Sequence, residues 1–355
     1  MTATDGITAV TVDRDDDDLV VRWTGDVNGP VAVCVGLAPD AIDHEHPSAI
    51  VHPDANHHDD DHDHGNEARL TGLGRGGRHY VHVGPSADNA NNDPRATGIV
   101  AAERLVPLEG TLNFRDLGGY ATTAGSRVRW GQLFRSDGLQ GLTDPDHELL
   151  TAMGIRTVCD LRWDRERDAQ PSRLPADGVT VHHFSVGRDP QGDDMIERIF
   201  AGEVDEVTVE WMADIYLQML DEGASAFVAL LTHLAEPDAL PAVFHCAAGK
   251  DRTGLSAALL LRLLDVPEDV VLDDYELSNT YRAQRRIDEL RPRFAEAGLD
   301  IERFRDYLSA PRPVLARALD HIERDHGGVE PYLLAAGMAA TVPAQLRQRL
   351  LDPSP

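Results

Sequence analysis

Hydrophobic positions change their period partway along the chain. In ITAVTVD (7–13), LVVRW (19–23), PVAVCVGL (30–37) and RHYVHV (78–83), apolar residues alternate with polar ones or run as β-branched blocks, with Gly, Pro and Asp between them. That pattern predicts strands, and hence a small all-β sandwich over residues 1–105. Further on, helical spacing takes over. Residues 142–153 read as a helix begun by Thr143 and Asp144, and 156–161 as a strand. Met195, Ile196, Ile199 and Phe200, then Trp211, Met212, Ile215, Tyr216, Met219 and Leu220, recur every three or four residues and predict two amphipathic helices; 281–308 predicts another pair.

One junction stands apart. Apolar 242–244 is followed by a Leu- and Ala-rich run at 255–264, which predicts strand, tight loop and helix. The loop between them reads His245, Cys246, Ala247, Ala248, Gly249, Lys250, Asp251, Arg252, Thr253, Gly254. Small residues let successive backbone N–H groups point inward, the helix N-terminus adds its positive end, and Arg252 offers a planar fork for two phosphate oxygens. Ala247, Ala248, Gly249, Lys250, Asp251 and Arg252 are thus expected to form a phosphate cradle. The same positive field favours the thiolate of a cysteine at its mouth, which places a nucleophile beside the bound phosphoryl group. Cys159 also has an Arg six positions on, Arg165, but the intervening Asp160 and Asp164 would face a dianion and no Gly lets that backbone curl.

HCAAGKDRTG, with LNFRDLGGY (112–120), GQLFRS (131–136) and an Asp-Leu-Arg at 160–162 upstream, resembles the signature of the cysteine-dependent protein tyrosine phosphatase superfamily, in the form found in bacterial tyrosine and lipid phosphatases. DDYELSNTYR and GGVEPYLLAAGM downstream are similar to segments of the same family. The resemblance implies an α/β tyrosine phosphatase-like domain over 106–355, a central sheet flanked by helices, with helices of the 194–308 region serving as a lid over the loop. It also implies hydrolysis of phosphate monoesters through a phosphocysteine, with Cys246 as nucleophile, Arg252 on the phosphate, and no cofactor or metal. His245, Thr253, Arg115 and Asp116 are the supporting residues. Arg115 and Asp116 can pair with each other, and Arg115 and Arg135 can serve either in ion pairs or on phosphate. The β unit resembles a fibronectin type III-like sandwich, which would make Tyr80 its corner tyrosine and its task interaction or packing against the second unit.

A leaving oxygen needs a proton, and three carboxyls are candidates to supply it: Asp160 at a strand end, Asp251 in the loop, and Asp189. Position favours Asp160; the resemblance leaves Asp160 and Asp251 both open. Asp164 and Glu166 are expected to pair with Arg162, Arg165 and Arg167. The alternative to an enzyme is a phosphate-binding module without turnover, which would be free to lose Cys246 or Arg252.

Composition narrows the partners. A net charge of −28 opposes nucleic acid and anionic membranes, and the substrate that the resemblance implies, a phosphorylated protein or small phosphate monoester, would have to be drawn by a local Arg cluster. Lys250 is the sole lysine among 33 basic residues, which places it in the loop for a reason. Three cysteines give no disulfide framework, and the opening MTATDGITAV lacks a basic region and a long apolar run, so a cytoplasmic protein without membrane insertion is expected. The His- and Asp-rich stretch 52–64 matches no closed ligand set of the kind structural zinc uses and is read as a solvated loop. The carboxylate excess resembles that of proteins from salt-loving organisms. It predicts a higher unfolding midpoint in molar than in millimolar KCl, since the screening length falls from about 30 Å at 0.01 M to about 3 Å at 1 M; an unchanged midpoint would contradict it.

Overall fold

The computed structural model describes residues 6–25, 27, 29–52, 66–73, 77–86, 98–188 and 195–352. Among the described residues its first part holds seven strands: β1 (Ala9–Asp15), β2 (Asp18–Thr24), β3 (Val31–Gly36), β4 (Ala49–Val51), β5 (Glu67–Leu70), β6 (Tyr80–Pro85) and β7 (Ile99–Ala102). They pair antiparallel in two sheets, ordered β1-β2-β5 and β4-β3-β6-β7. Val12, Val21, Trp23, Val33, Val81 and Val83 share one buried cluster. The predicted runs became β1, β2, β3 and β6, whereas β4, β5 and β7 are three or four residues long, too short to show a period. Asp189 and all of the His- and Asp-rich stretch except the exposed His52 fall outside the described residues.

The second part is built on a five-stranded sheet. Its elements are β8 (Arg115–Asp116), β9 (Leu133–Ser136), α1 (Asp144–Ala152), β10 (Thr157–Asp160), α2 (Asp164–Ala169), β11 (Thr180–His183), α3 (Met195–Phe200), α4 (Val209–Leu234), β12 (Ala242–His245), α5 (Asp251–Leu263), α6 (Glu268–Ser278), α7 (Gln284–Glu296), α8 (Arg305–Leu308), α9 (Arg312–His326), α10 (Val329–Ala335) and α11 (Val342–Leu350). The strand order is β11-β10-β12-β9-β8, parallel except for β8 at one edge. Central strands are covered on both faces, and β10, β12 and β9 are buried at every position, with their charged and titratable residues Asp160, His245 and Arg135 toward the carboxyl ends. Thr143 caps α1 as expected, accepting from the Asp146 N–H while the Asp146 carboxylate takes the Thr143 N–H. The stripe Met212, Tyr216, Leu220, Phe227, Leu231 and Leu234 turns α4 onto the core, and α5 is buried almost all round. No helix among the described residues is long and apolar enough to cross a membrane.

The 112–120 segment joins the two parts. Successive strand residues point to opposite faces, so the expected Arg115–Asp116 pair does not form: Arg115 turns inward to Asp274, while Asp116 meets Arg78 of the β part at 2.8 Å, both side chains fully buried. Asp116 also accepts the Gly118 and Gly131 N–H groups. Gly118 and Gly119 lie against Trp130, where a Cβ on either would come within 2.4 Å of that residue. Trp130 in turn donates to the Val100 carbonyl and belongs to the buried cluster of the β part. Tyr80 places its hydroxyl against Gly131, so it faces the joint between the two parts.

Candidate active site

Ligands of open α/β sheets sit beyond the carboxyl ends of the strands, and three loops converge there: 246–250 after β12, 161–163 after β10 and 137–138 after β9. They are tied together. Leu161 donates its N–H to the His245 carbonyl (2.8 Å) and Gly138 to the Ala247 carbonyl (3.1 Å). Gly249 has φ +64°, and a Cβ there would lie 2.5 Å from the Asp137 nitrogen, so this position accepts glycine alone. Its carbonyl is gripped by Arg135 (2.9 Å) and by the Asn113 amide (3.1 Å). The loop then runs into α5, whose first residue is Asp251, so the amides of the first turn point back over Cys246. Cys246 is 1% exposed.

Arg252 is held in a fork. Its Nη1 and Nη2 donate to Glu166 at 2.5 and 2.7 Å, and its guanidinium stacks over the Trp163 ring at 4.4 Å. The sequence predicts Glu166 paired with the arginines of its own segment; instead it reaches across to Arg252 in the loop, because α2 begins right after the 161–163 turn. Asp164 does pair locally, with Arg167. Since Glu166 occupies the end-on edge of the guanidinium, the side-on edge with Nε stays available for a second bidentate partner. Burial works against the charge of Arg252, but the Glu166 bonds and the charge of Cys246 outweigh it and hold the guanidinium firmly protonated.

The neighbours of the loop differ in their freedom. Lys250 is buried; its Nζ donates to the Tyr307 carbonyl, lies over that ring at 5.3 Å and stands 3.6 Å from Asp251. Burial pulls its ammonium below the usual lysine range. Asp251 keeps a partly exposed carboxylate whose Oδ1 accepts from the Tyr216 hydroxyl at 2.8 Å, and that hydroxyl also meets Tyr275 at 2.8 Å. Asp160 is locked: Arg162 gives it Nε (2.9 Å), Nη2 (2.7 Å) and its backbone N–H (3.0 Å). Burial tends to raise the Asp160 carboxyl, but the Arg162 bonds and the neighbouring His245 outweigh this and leave it lowered. His245 is wholly buried, pulled down to about 4 chiefly by burial, and sits with Nε2 3.7 Å from Asp160 and Nδ1 3.3 Å from the Cys246 carbonyl. The Thr253 hydroxyl is buried with no hydrogen-bond partner among the described residues.

Arg115 and Arg135 act through an ion-pair network. Asp274 of α6 accepts from Arg115 (3.2 Å), Arg135 (2.6 Å) and the Tyr120 hydroxyl (2.9 Å), and Arg135 carries this anchor on to Gly249. Burial would raise the Asp274 carboxyl, yet Arg115, Arg135 and Arg104 hold it far below the usual range. Arg115 itself comes down to about 10, first through burial and then through the charge of Arg135. Removing one partner of such a cluster strands buried charge, so Asp274→Ala is expected to destabilise the fold by about 3–5 kcal/mol. A carboxyl lowered on folding contributes above its unfolded value, so this stability is complete above about pH 4 and is lost as pH falls further. Denaturant unfolding at neutral pH checks it, and a loss below about 1 kcal/mol would contradict the anchor role.

Sequence reasoning did not find Asn113, Asp137, Tyr216, Asp274 or Tyr307. Asp137 is the most telling: it lies beside Gly249, accepts the Leu112 and Asn113 N–H groups, and burial raises its carboxyl although Arg282 is 3.8 Å away. Tyr216 reads as one more apolar position of the α4 stripe until its hydroxyl is seen on Asp251.

Comparisons with known proteins agree with this geometry. The chain is 31% identical over 281 residues, 69% of its own length and 98% of the relative's, to the triple specificity protein phosphatase PtpB of Mycobacterium tuberculosis. It is 28% identical over 224 residues, 61% of its length and 73% of the relative's, to the tyrosine-protein phosphatase of Nostoc commune. A nucleophile-bearing loop of this sequence, a forked arginine above it and a match of residues 106–352 to the sequence profile of the tyrosine phosphatase family together make the chain a member of that family, a phosphatase of the phosphocysteine type.

Proposed function

We propose that the protein is a phosphotyrosine phosphatase, able also to act on multiply phosphorylated headgroups, and that Asp251 is its general acid. The observation that carries the first point is the depth of the nucleophile. With Cys246 only 1% exposed, a phosphate has to enter the loop to reach it, and a phenyl ring holds the phosphoryl group farther from the body of its carrier than a serine methylene does. Cys246 attacks phosphorus and the leaving oxygen departs with a proton. The loop amides and the side-on edge of Arg252 hold the equatorial oxygens, and water then hydrolyses the phosphocysteine. Glu166 and Trp163 position Arg252 for that contact.

The choice of Asp251 over Asp160 rests on the Arg162 fork that encloses Asp160 and on the position of Asp251 beside the loop. A general acid must carry a proton at working pH, and a carboxylate inside an arginine fork resists one. Asp251 is partly exposed, begins α5 beside the loop, and is oriented by the Tyr216 hydroxyl. The two-part organisation, 1–105 and 106–355, and the fibronectin type III-like reading of the first part are supported by its three- and four-stranded sheets. Thiolate chemistry and three free cysteines fit a reducing cytoplasm.

Tyr307, at the end of the 301–308 segment, covers Lys250, which supports a helical lid that frees the ammonium when it opens. Turnover measured side by side on phosphotyrosine, phosphoserine and a polyphosphorylated inositol headgroup tests the substrate reading. Phosphotyrosine is expected to be favoured over phosphoserine, and equal rates on both would refute it. Lys250→Ala is expected to reduce turnover of the polyphosphorylated substrate by about tenfold, roughly the weight of one charge-assisted hydrogen bond, and that of phosphotyrosine by less. Equal losses on both would remove the role of Lys250 in reading a second phosphate.

A further inference from the structure

A second chemical cluster lies in the β part, away from the phosphate loop. Cys34 of β3 stands directly opposite His82 of β6 in the antiparallel register, so their side chains leave the sheet on the same face. The loop after β3 folds back over that face. Gly36 permits the return, since a Cβ there would sit 2.4 Å from the Ala41 carbonyl, and the loop brings the His44 ring to 4.7 Å from that of His82, at 70°. One donor atom from each of Cys34, His44 and His82 lies within 4.8 Å of the others. Cys34 and His82 are each 3% exposed, while His44 is half-buried.

His82 is the unexplained member. Its imidazole is wedged between Gly84 and Gly98, where a Cβ would approach the ring to 2.7 and 2.2 Å, and its Nε2 is buried with no hydrogen-bond partner among the described residues. A buried polar atom left in this way calls for a partner of some kind.

We propose that Cys34, His44 and His82 bind one zinc ion, with the fourth position open to water. One thiolate and two neutral imidazoles are borderline-soft donors that suit zinc and disfavour magnesium or calcium. Zinc–sulfur and zinc–nitrogen bonds of roughly 2.0–2.3 Å put tetrahedral donors at about 3.3–3.8 Å from one another, so the set must contract by about 1 Å. Two ligands are fixed by strand pairing, and the loop carrying His44 can supply the movement. On binding, the Cys34 thiol gives its proton to solvent and the sulfur lone pair forms the bond to the metal. The ion would fasten the loop that also carries Pro39, which lies with Tyr80 against Gly131 at the joint between the two parts.

The test uses the full chain, stripped with chelator and loaded with cobalt(II) or zinc. One metal per chain is expected, with a thiolate-to-cobalt charge-transfer band in the near ultraviolet. The band should persist in Cys246→Ser, where Cys34 and the core-buried Cys159 are the remaining thiols. In Cys34→Ser it should vanish, and zinc binding should weaken at least about tenfold. Metal held by the His- and Asp-rich stretch 52–64 gives no thiolate band. Cobalt uptake without the band in the wild-type chain, or a band kept in Cys34→Ser and lost in Cys246→Ser, overturns the proposal. Should Cys34→Ser fail to fold, the Cys246→Ser spectrum decides alone: a band supports the site and its absence rejects it.

Discussion

Cys246→Ser is expected to lower turnover of phosphotyrosine at least about 10⁴-fold while inorganic phosphate still binds within a few-fold of the wild-type affinity. The two readouts separate because different atoms carry them. Phosphate is held by loop amides and by Arg252, and the grip on that arginine comes from Glu166 and Trp163, none of which the substitution touches. Attack on phosphorus, by contrast, needs an ionised nucleophile, and a serine hydroxyl in the same field stays protonated. Cys159→Ser should leave turnover nearly unchanged. Cys159 lies fully buried on β10, where burial pushes its thiol far up, and it meets no phosphate. Excess EDTA should leave wild-type kcat unchanged at assay temperature, since an ion at Cys34 sits in the other part of the chain. Appreciable turnover by Cys246→Ser, or phosphate binding lost along with it, would contradict this mechanism.

Asp251→Asn is expected to slow phosphotyrosine about 10²-fold or more, yet to slow an activated aryl phosphate, whose phenol departs unaided, by less than about tenfold. The amide keeps an acceptor for the Tyr216 hydroxyl and loses only the proton donor, so the comparison isolates acid catalysis from geometry. Asp160→Asn should act differently. It empties the Arg162 fork and leaves a buried guanidinium without its counter-charge, which loosens the 161–163 turn and slows both substrates alike. Asp137→Asn completes the set. Its raised carboxyl is the kind a general acid needs, but both of its oxygens accept backbone N–H groups and serve the 112–113 turn. A loss confined to the basic leaving group in Asp160→Asn or Asp137→Asn, and absent in Asp251→Asn, would move the acid to that residue.

Local sequence determined the chemistry of the loop. A phosphate cradle needs small residues, a turn glycine, a forked cation and a helix start within ten positions, and 245–254 carries all of these in one run; Gly249 with its φ of +64° is where that requirement is strictest. Strand and helix periods likewise placed β1, β2, β3, β6, α1 and α4 near their observed positions. Tertiary structure decided everything that joins distant segments. Nothing in the spacing of Glu166 says that it grips Arg252, because that contact depends on β10 lying beside β12 so that their carboxyl ends meet. Asp116 reads as a partner for Arg115 until strand alternation sends one residue to Asp274 and the other to Arg78. Asp160 was attractive on position alone; the fork of Arg162, two residues on, sets its protonation and is visible only once the turn after β10 is closed. Cys34 and His82 lie far apart in the chain and meet only because β3 pairs with β6 in one particular register. The physical reason is common to the three long-range cases. Periodicity and turn chemistry are short-range properties of the chain, whereas partners for buried charges and donor atoms are set by which strands pair and which loops those pairings bring together.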